Sequence, residues 1–170
     1  APGLHTGFAL DRDGETVSLY DSGTNRLDAV TFGLQLADRS IGLVNGLWHL
    51  NEPTPGAANR VAPLAATTNL VINEWLANAA PGQDDWLELY NRNTNQPLAL
   101  RGLYLATSNA VSQLKALSFL APGGYVPLLA DEKPGPDHLD FKLPAEGGTI
   151  VLHDASAKII DRVQFGAQSE

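Results

Sequence analysis

Asp11-Arg12-Asp13-Gly14-Glu15 sets three acids at alternate positions around a glycine. Carboxylates so spaced can gather oxygen ligands for calcium, but a calcium loop of the EF type runs to about twelve residues and closes on a bidentate glutamate. That full pattern is absent. The segment reads as a hairpin turn, with Asp11, Asp13 and Glu15 as the calcium alternative. A second acidic group is Glu74, Asp84, Asp85 and Glu88. A glycosidase needs two carboxyls about 5–9 Å apart across a cleft. Here Glu88 belongs to an alternating apolar run and Asp84-Asp85 to a loop end, so solvated acids are expected. Glu74 is expected to satisfy backbone groups at a sheet corner, as a buried polar group must.

The other reactive types are sparse. His5, His49, His138 and His153 are scattered, with no His-x-His or His-Glu-x-x-His spacing, so no zinc site is expected. There is no cysteine, which excludes disulfides, thiolate metal sites and a cysteine nucleophile. A Ser-His-Asp triad stays open, without a Gly-x-Ser-x-Gly elbow to favour it. No phosphate-binding glycine loop occurs, and Gly123-Gly124 reads as a turn between strands. No catalytic residue, metal or cofactor is therefore expected. Trp48, Trp75, Trp86 and Tyr90 form the candidate interaction surface. With Tyr104 and Tyr125 they also have the residue types of a sugar-stacking platform, although strand aromatics more commonly fill cores or pair across strands.

The elements that must position these side chains are short strands. The 170 residues are 44% hydrophobic and 18% charged, a globular balance. Sixteen glycines and eleven prolines suit many strands joined by turns. Leu70-Val71-Ile72 is an apolar, β-branched run. In Trp86-Leu87-Glu88-Leu89-Tyr90, Leu87 and Leu89 share one face and the other three share the opposite one. Between these runs, Asn78-Ala79-Ala80-Pro81-Gly82 is turn chemistry.

A net charge of −8 repels phosphate backbones and anionic lipid heads, and no Lys/Arg cluster offsets it, so nucleic acid is not an expected partner. No apolar run approaches the roughly 18 residues that cross a membrane, so no membrane insertion is expected. Methionine is absent even at position 1, which reads as a processed or excised piece. The composition suits an exported bacterial protein, located extracellularly or at the cell surface.

Residues 5–35 and 138–168 align without a gap, with twelve identities in 31 positions, from His5/His138 to Gln35/Gln168. Each copy carries two apolar runs around a short polar loop (Asp21–Asn25; Asp154–Lys158). Each ends on a glycine, Gly33 or Gly166, expected to have positive φ or to mark a bulge.

The order Ile72-Asn73-Glu74, loop, Asp85-Trp86-Leu87-Glu88-Leu89-Tyr90-Asn91 resembles the opening of a lamin-tail domain. Leu100-Arg101-Gly102-Leu103-Tyr104 and Phe119…Pro122-Gly123-Gly124-Tyr125 resemble its middle, and Gly46-Leu47-Trp48 with Thr54-Pro55-Gly56-Ala57-Ala58-Asn59 its closing strand and exit. The resemblance implies an all-β, immunoglobulin-like sandwich. Its phase implies an excerpt of a tandem array: residues 1–58 as the C-terminal half of one repeat, 59–68 as a linker, and 69–170 as a domain lacking its closing strand. Residues 131–137 read as a surface loop.

A half-domain has too few strands for a two-layer core and leaves edges and an apolar face open. Residues 1–58 are therefore expected to pack on the second domain or to complete a neighbouring molecule. The leading expectation is a non-enzymatic structural or interaction module of a repetitive exported bacterial surface or filament protein, with self-association or neighbouring repeats as partners. The alternative is a protein- or carbohydrate-binding module attached to an exported nuclease or hydrolase. DNA or chromatin binding, by analogy with nuclear lamins, is opposed by the charge.

Overall fold

The structure, a computed structural model, describes residues 6–168. Among these residues there are fifteen strands, one 3-10 turn (Thr67–Asn69) and no α-helix. The first part of the chain holds β1 (Glu15–Tyr20), β2 (Arg26–Phe32), β3 (Ser40–Val44), β4 (Leu47–Glu52) and β5 (Arg60–Val61). The remainder holds β6 (Leu70–Leu76), β7 (Asp85–Asn91), β8 (Leu98–Ala99), β9 (Tyr104–Ala106), β10 (Val111–Gln113), β11 (Phe119–Leu120), β12 (Tyr125–Ala130), β13 (His138–Leu139), β14 (Gly147–His153) and β15 (Ile159–Gly166).

Two four-stranded sheets make the second part a sandwich. One has the order β13-β12-β7-β6 and the other β10-β9-β14-β15. The alternation of β7 has the expected effect: Leu87 and Leu89 are fully buried, while Trp86, Glu88 and Tyr90 are half-buried on the other side. Leu70, Ile72 and Leu128 join them from the first sheet, facing Leu105, Ile150 and Leu152 of the second in one continuous core. Asn91, at the end of β7, is also fully buried. Its amide donates to Gln96 O and Ala121 O, both at 3.0 Å, and its oxygen accepts from Asn93 N at 3.0 Å. One side chain thus ties the β7–β8 connection to the turn before β12.

The first part adds two smaller sheets, β1-β2 and β3-β4-β5. Buried Asn51 accepts from Gly42 N at 3.1 Å across β3 and β4 and donates to Leu50 O. Asn59 closes the exit turn, donating to Leu43 O at 3.0 Å. The stretch expected as a linker, residues 59–68, makes contacts of its own. Arg60 and Val61 pair with Glu52 and Asn51, and Ala62 and Ala65 are buried, because small apolar residues there have a surface to pack on.

The two parts meet in the same chain. Phe32 bridges Leu117 in parallel fashion, Gly33 N donates to Leu117 O at 3.2 Å, and Phe119 N donates to Leu34 O at 3.1 Å. Leu50, Ala62 and Phe119 form a small core beside this seam. Gly33 belongs here for steric reasons. A Cβ on it would collide with Ser118 Oγ and press on Ala116 and Pro136. Neither Gly33 nor Gly166 has the expected positive φ. Within the repeat, the glycines opening the hairpins do, Gly14 (φ 126°) and Gly147 (φ 101°), where a Cβ would lie 2.7 Å from the carbonyl oxygen of Phe32 or Phe165 respectively.

Candidate functional site

The two similar sequence stretches fold into the same hairpin. β1 and β2 pair Glu15 with Phe32 through Leu19 with Asp28, then slip at Tyr20, and β14 and β15 pair Gly148 with Phe165 through Leu152 with Asp161, then slip at His153. The loops match as well. Asp21 Oδ1 accepts from Gly23 N and Asn25 N, and Asp154 Oδ1 accepts from Ser156 N and Lys158 N. These bonds stabilise the ionised acids. Asp21 is held below its usual pKa chiefly by Asn25, and Asp154 chiefly by Ser156. Thr24 (φ 64°) and Ala157 (φ 63°) take the left-handed position that follows.

What differs is the cover. In the second hairpin, Phe141, Leu143 and Leu152 are 3%, 4% and 0% exposed; their counterparts Phe8, Leu10 and Leu19 are 60%, 62% and 61% exposed. The second hairpin lies against β6. Asp161 Oδ2 accepts from Ile72 N at 2.8 Å, Trp75 packs on Phe165 with ring centroids 5.6 Å apart, and Gln168 accepts from Ala77 N. The first hairpin instead looks into an open cavity of about 680 Å³, lined among others by Val17, Val30, Phe32, Ile41 and Trp48. Only Phe32 is buried, by the seam with Leu117.

A second feature was masked by loop-like composition. Asp131, expected on a surface loop, is buried. Its Oδ1 meets His138 Nδ1 at 2.8 Å and accepts from Lys133 N at 3.1 Å, while Lys133 Nζ pairs with Oδ2 at 3.0 Å. Burial by itself would push this carboxyl up; the bonds from His138 and Lys133 outweigh it and bring it down to about 2. Lys133 also reaches Asp84 at 2.7 Å, and that contact, before the one to Asp131, raises the pKa of the ammonium. Asp131 is thus the clasp of the β12–β13 turn. The repeated His138 hinted that this segment is anchored, but nothing local marked the acid as buried.

The residues singled out by chemistry fall as follows. Glu15 accepts from Asp11 N at 2.8 Å, Asp11 accepts from Asp13 N at 3.0 Å, and Arg12 pairs with Asp13 at 3.3 Å. These acids order the turn that leads into β1. Among the described residues no three His, Cys, Asp or Glu side chains gather as a metal site. Glu74 does not take the corner role expected of it. It is exposed at a bulge in β6, and the acid that accepts the backbone N–H there is Asp161, from a strand distant in sequence. Glu88 accepts from Asn73, Asp84 pairs with Lys133, and Asp85 accepts from Ala79 N. Ser112 engages Asp140, and among the described residues no serine hydroxyl bonds a histidine ring. His5 lies outside the described residues.

The four candidate aromatics do not converge. Trp48 lines the open cavity. Trp75, opposite Leu87 in register, packs against the core of the sandwich. Trp86 and Tyr90 project from the other face of that sheet, where Tyr90 stacks on Tyr125 at 4.4 Å. Desolvation, then Tyr90, raises the pKa of the Tyr125 phenol. Alternation explains the split, because neighbouring positions on a strand point to opposite faces.

Two stacked β-sheets around one core define an immunoglobulin-like domain, a class that serves as a structural or interaction module. The lamin tail domain family matches residues 63–167, and the chain belongs to that family. A comparison with curated proteins gives no match. Among the described residues no helix is long and apolar enough to cross a membrane.

Proposed function

We propose that this chain is a non-enzymatic structural module of a repetitive, exported bacterial surface or filament protein, and that it works through strand-edge and repeat–repeat contacts. In this reading residues 1–58 are the closing half of one repeat and residues 69–170 the body of the next, so the chain is a piece of a tandem array. One observation carries the reading. The same hairpin occurs twice in identical register, once covered by a strand and once open. A repetitive protein whose units complete and abut one another needs such a surface. The seam at Phe32–Leu34 and Leu117–Phe119 supports it, since unit-to-unit contact there runs through backbone pairing.

Light scattering on a sizing column, over a concentration series, tests the reading. Dimers or open-ended polymers that grow with concentration support assembly as the function. An 18.1 kDa monomer at every concentration, also in the presence of neighbouring repeats from the same protein, refutes it.

The second reading is a protein- or carbohydrate-binding module beside an exported enzyme. It draws on Trp48 in a concave apolar wall, where an indole can stack on a ligand. Sequencing the gene on both sides separates the two: a catalytic domain next door favours binding, and further repeats favour assembly.

A further inference from the structure

We propose that the open face of the β1–β2 hairpin is a receptor for one extended strand of the β6 pattern, supplied by the opening segment of another lamin tail domain. The inference rests on the structural-module reading above and names the partner of its open site.

The chain itself shows what fits. Position by position, the β14–β15 hairpin is the first hairpin with its occupant in place, and the occupant is β6. Two polar contacts pin that strand: Ile72 N on Asp161 Oδ2, and Ala77 N on Gln168 Oε1. Asp28 and Gln35 hold the equivalent places beside β1–β2. Asp28 Oδ1 accepts from Ala29 N at 2.8 Å, as Asp161 Oδ1 accepts from Arg162 N. Its Oδ2 has no partner among the described residues. Gln35 spends its amide nitrogen on Gly33 O and Leu117 O, which leaves Oε1 to accept. Asp28 and Gln35 thus carry acceptor oxygens at the two repeat positions whose counterparts accept from Ile72 N and Ala77 N. Between them lie Val17 and Val30, the counterparts of Ile150 and Val163, which ask for apolar side chains at alternate positions.

The face is also continuous with an interface already formed. It runs from the open Phe8, Leu10 and Val17 to Phe32, which is buried on Leu117. A second copy of this chain is a poor donor. Its own β6 is already held on the second hairpin by Asp161 and Gln168, and Leu70 is 0% exposed, so lending that strand would dismantle the sandwich. The occupant must bring a strand that is not already spoken for.

The test is a titration of the full chain with a synthetic peptide of residues 70–91, followed by amide chemical shifts. Saturable one-to-one binding is expected, with shifts at Val17, Asp28, Val30, Gln35 and the Trp48 indole. Asp28→Ala, exposed and checked as folded by its amide spectrum, should weaken binding roughly tenfold. Val17→Lys should abolish it, and so should a peptide carrying lysine in place of Leu70 and Ile72. Absence of saturation by about 1 mM peptide overturns the proposal. Shifts confined to the edges of the second sandwich overturn the site while leaving strand-edge assembly standing. Self-association of the chain through the hairpin without peptide overturns the choice of occupant.

Discussion

Asp161 accepts the backbone N–H of Ile72 at 2.8 Å, across 89 positions of sequence. The bond sits at the bulge in β6, where the ladder to β7 skips Asn73 and an N–H would otherwise lack a partner. It joins the two sheets of the sandwich at their edge. Asp28, the repeat counterpart, holds the same hairpin position with no strand above it. Asp161→Ala should therefore lower stability by about 2 kcal/mol, the scale for losing a charged hydrogen bond to a half-buried amide. Asp28→Ala should change it by less than about 0.5 kcal/mol. Urea unfolding of both variants checks the difference; equal effects would mean that the open hairpin is already covered.

Strong acid should undo the Asp131 clasp. Its carboxyl is lowered from 3.8 to about 2, so the folded chain holds this proton less tightly than the unfolded one. The stabilisation is complete above 3.8 and is lost as pH falls through about 2. Asp21 and Asp154, shifted in the same direction, add to this limb. Asp131→Asn should be less stable at neutral pH by about 2 kcal/mol. Its thermal midpoint should also fall less steeply between pH 4 and pH 2 than that of the parent, measured by circular dichroism. Parallel curves would show that the clasp does not titrate as described.

Truncation at Asn91 should be among the more costly single changes. Asn91→Ala removes the partner of the Gln96 and Ala121 carbonyls and of the Asn93 amide, at a position that is itself fully buried. A loss of about 3 kcal/mol is expected. Asn91→Asp keeps the acceptor for Asn93 and loses both donors, so it should also destabilise. Chemical denaturation measures both.

Gly33 tests how the two parts are joined. Gly33→Ala drives a methyl group into Ser118 and against Pro136, at the seam rather than within either sheet. A cost of about 1–3 kcal/mol is expected to fall on the junction. Limited proteolysis should then cut residues 6–58 faster while the fragment from 63 to 167 survives. Uniform loss of the whole chain would show that the parts fold as one cooperative unit.

Local chemistry was legible in the sequence. The period-two pattern of Trp86–Tyr90 placed Leu87 and Leu89 in the core, and the order of turn and strand motifs identified the sandwich. The repeat anticipated paired hairpins, each around a short polar loop. Such features depend on neighbours two to four residues away, which a sequence displays directly. Glu74 and Asp131 were misplaced for the opposite reason. Whether an acid at a bulge or in a Pro/Gly-rich turn is solvated depends on what packs over it, here a strand end or a histidine from elsewhere in the fold. The aromatic surface failed to converge for the same reason, because facing is set sheet by sheet.

By itself, the sequence determined the repeated hairpin, the main strands, the net negative charge and the family to which the chain belongs. Only the tertiary structure decided which of two repeat-related hairpins is covered. Both carry the same apolar positions and the same aspartate, so no local property separates them. The difference is that β6 lies along one, while the other is covered only at Phe32, by Leu117. Burial is a property of the partner surface as much as of the residue.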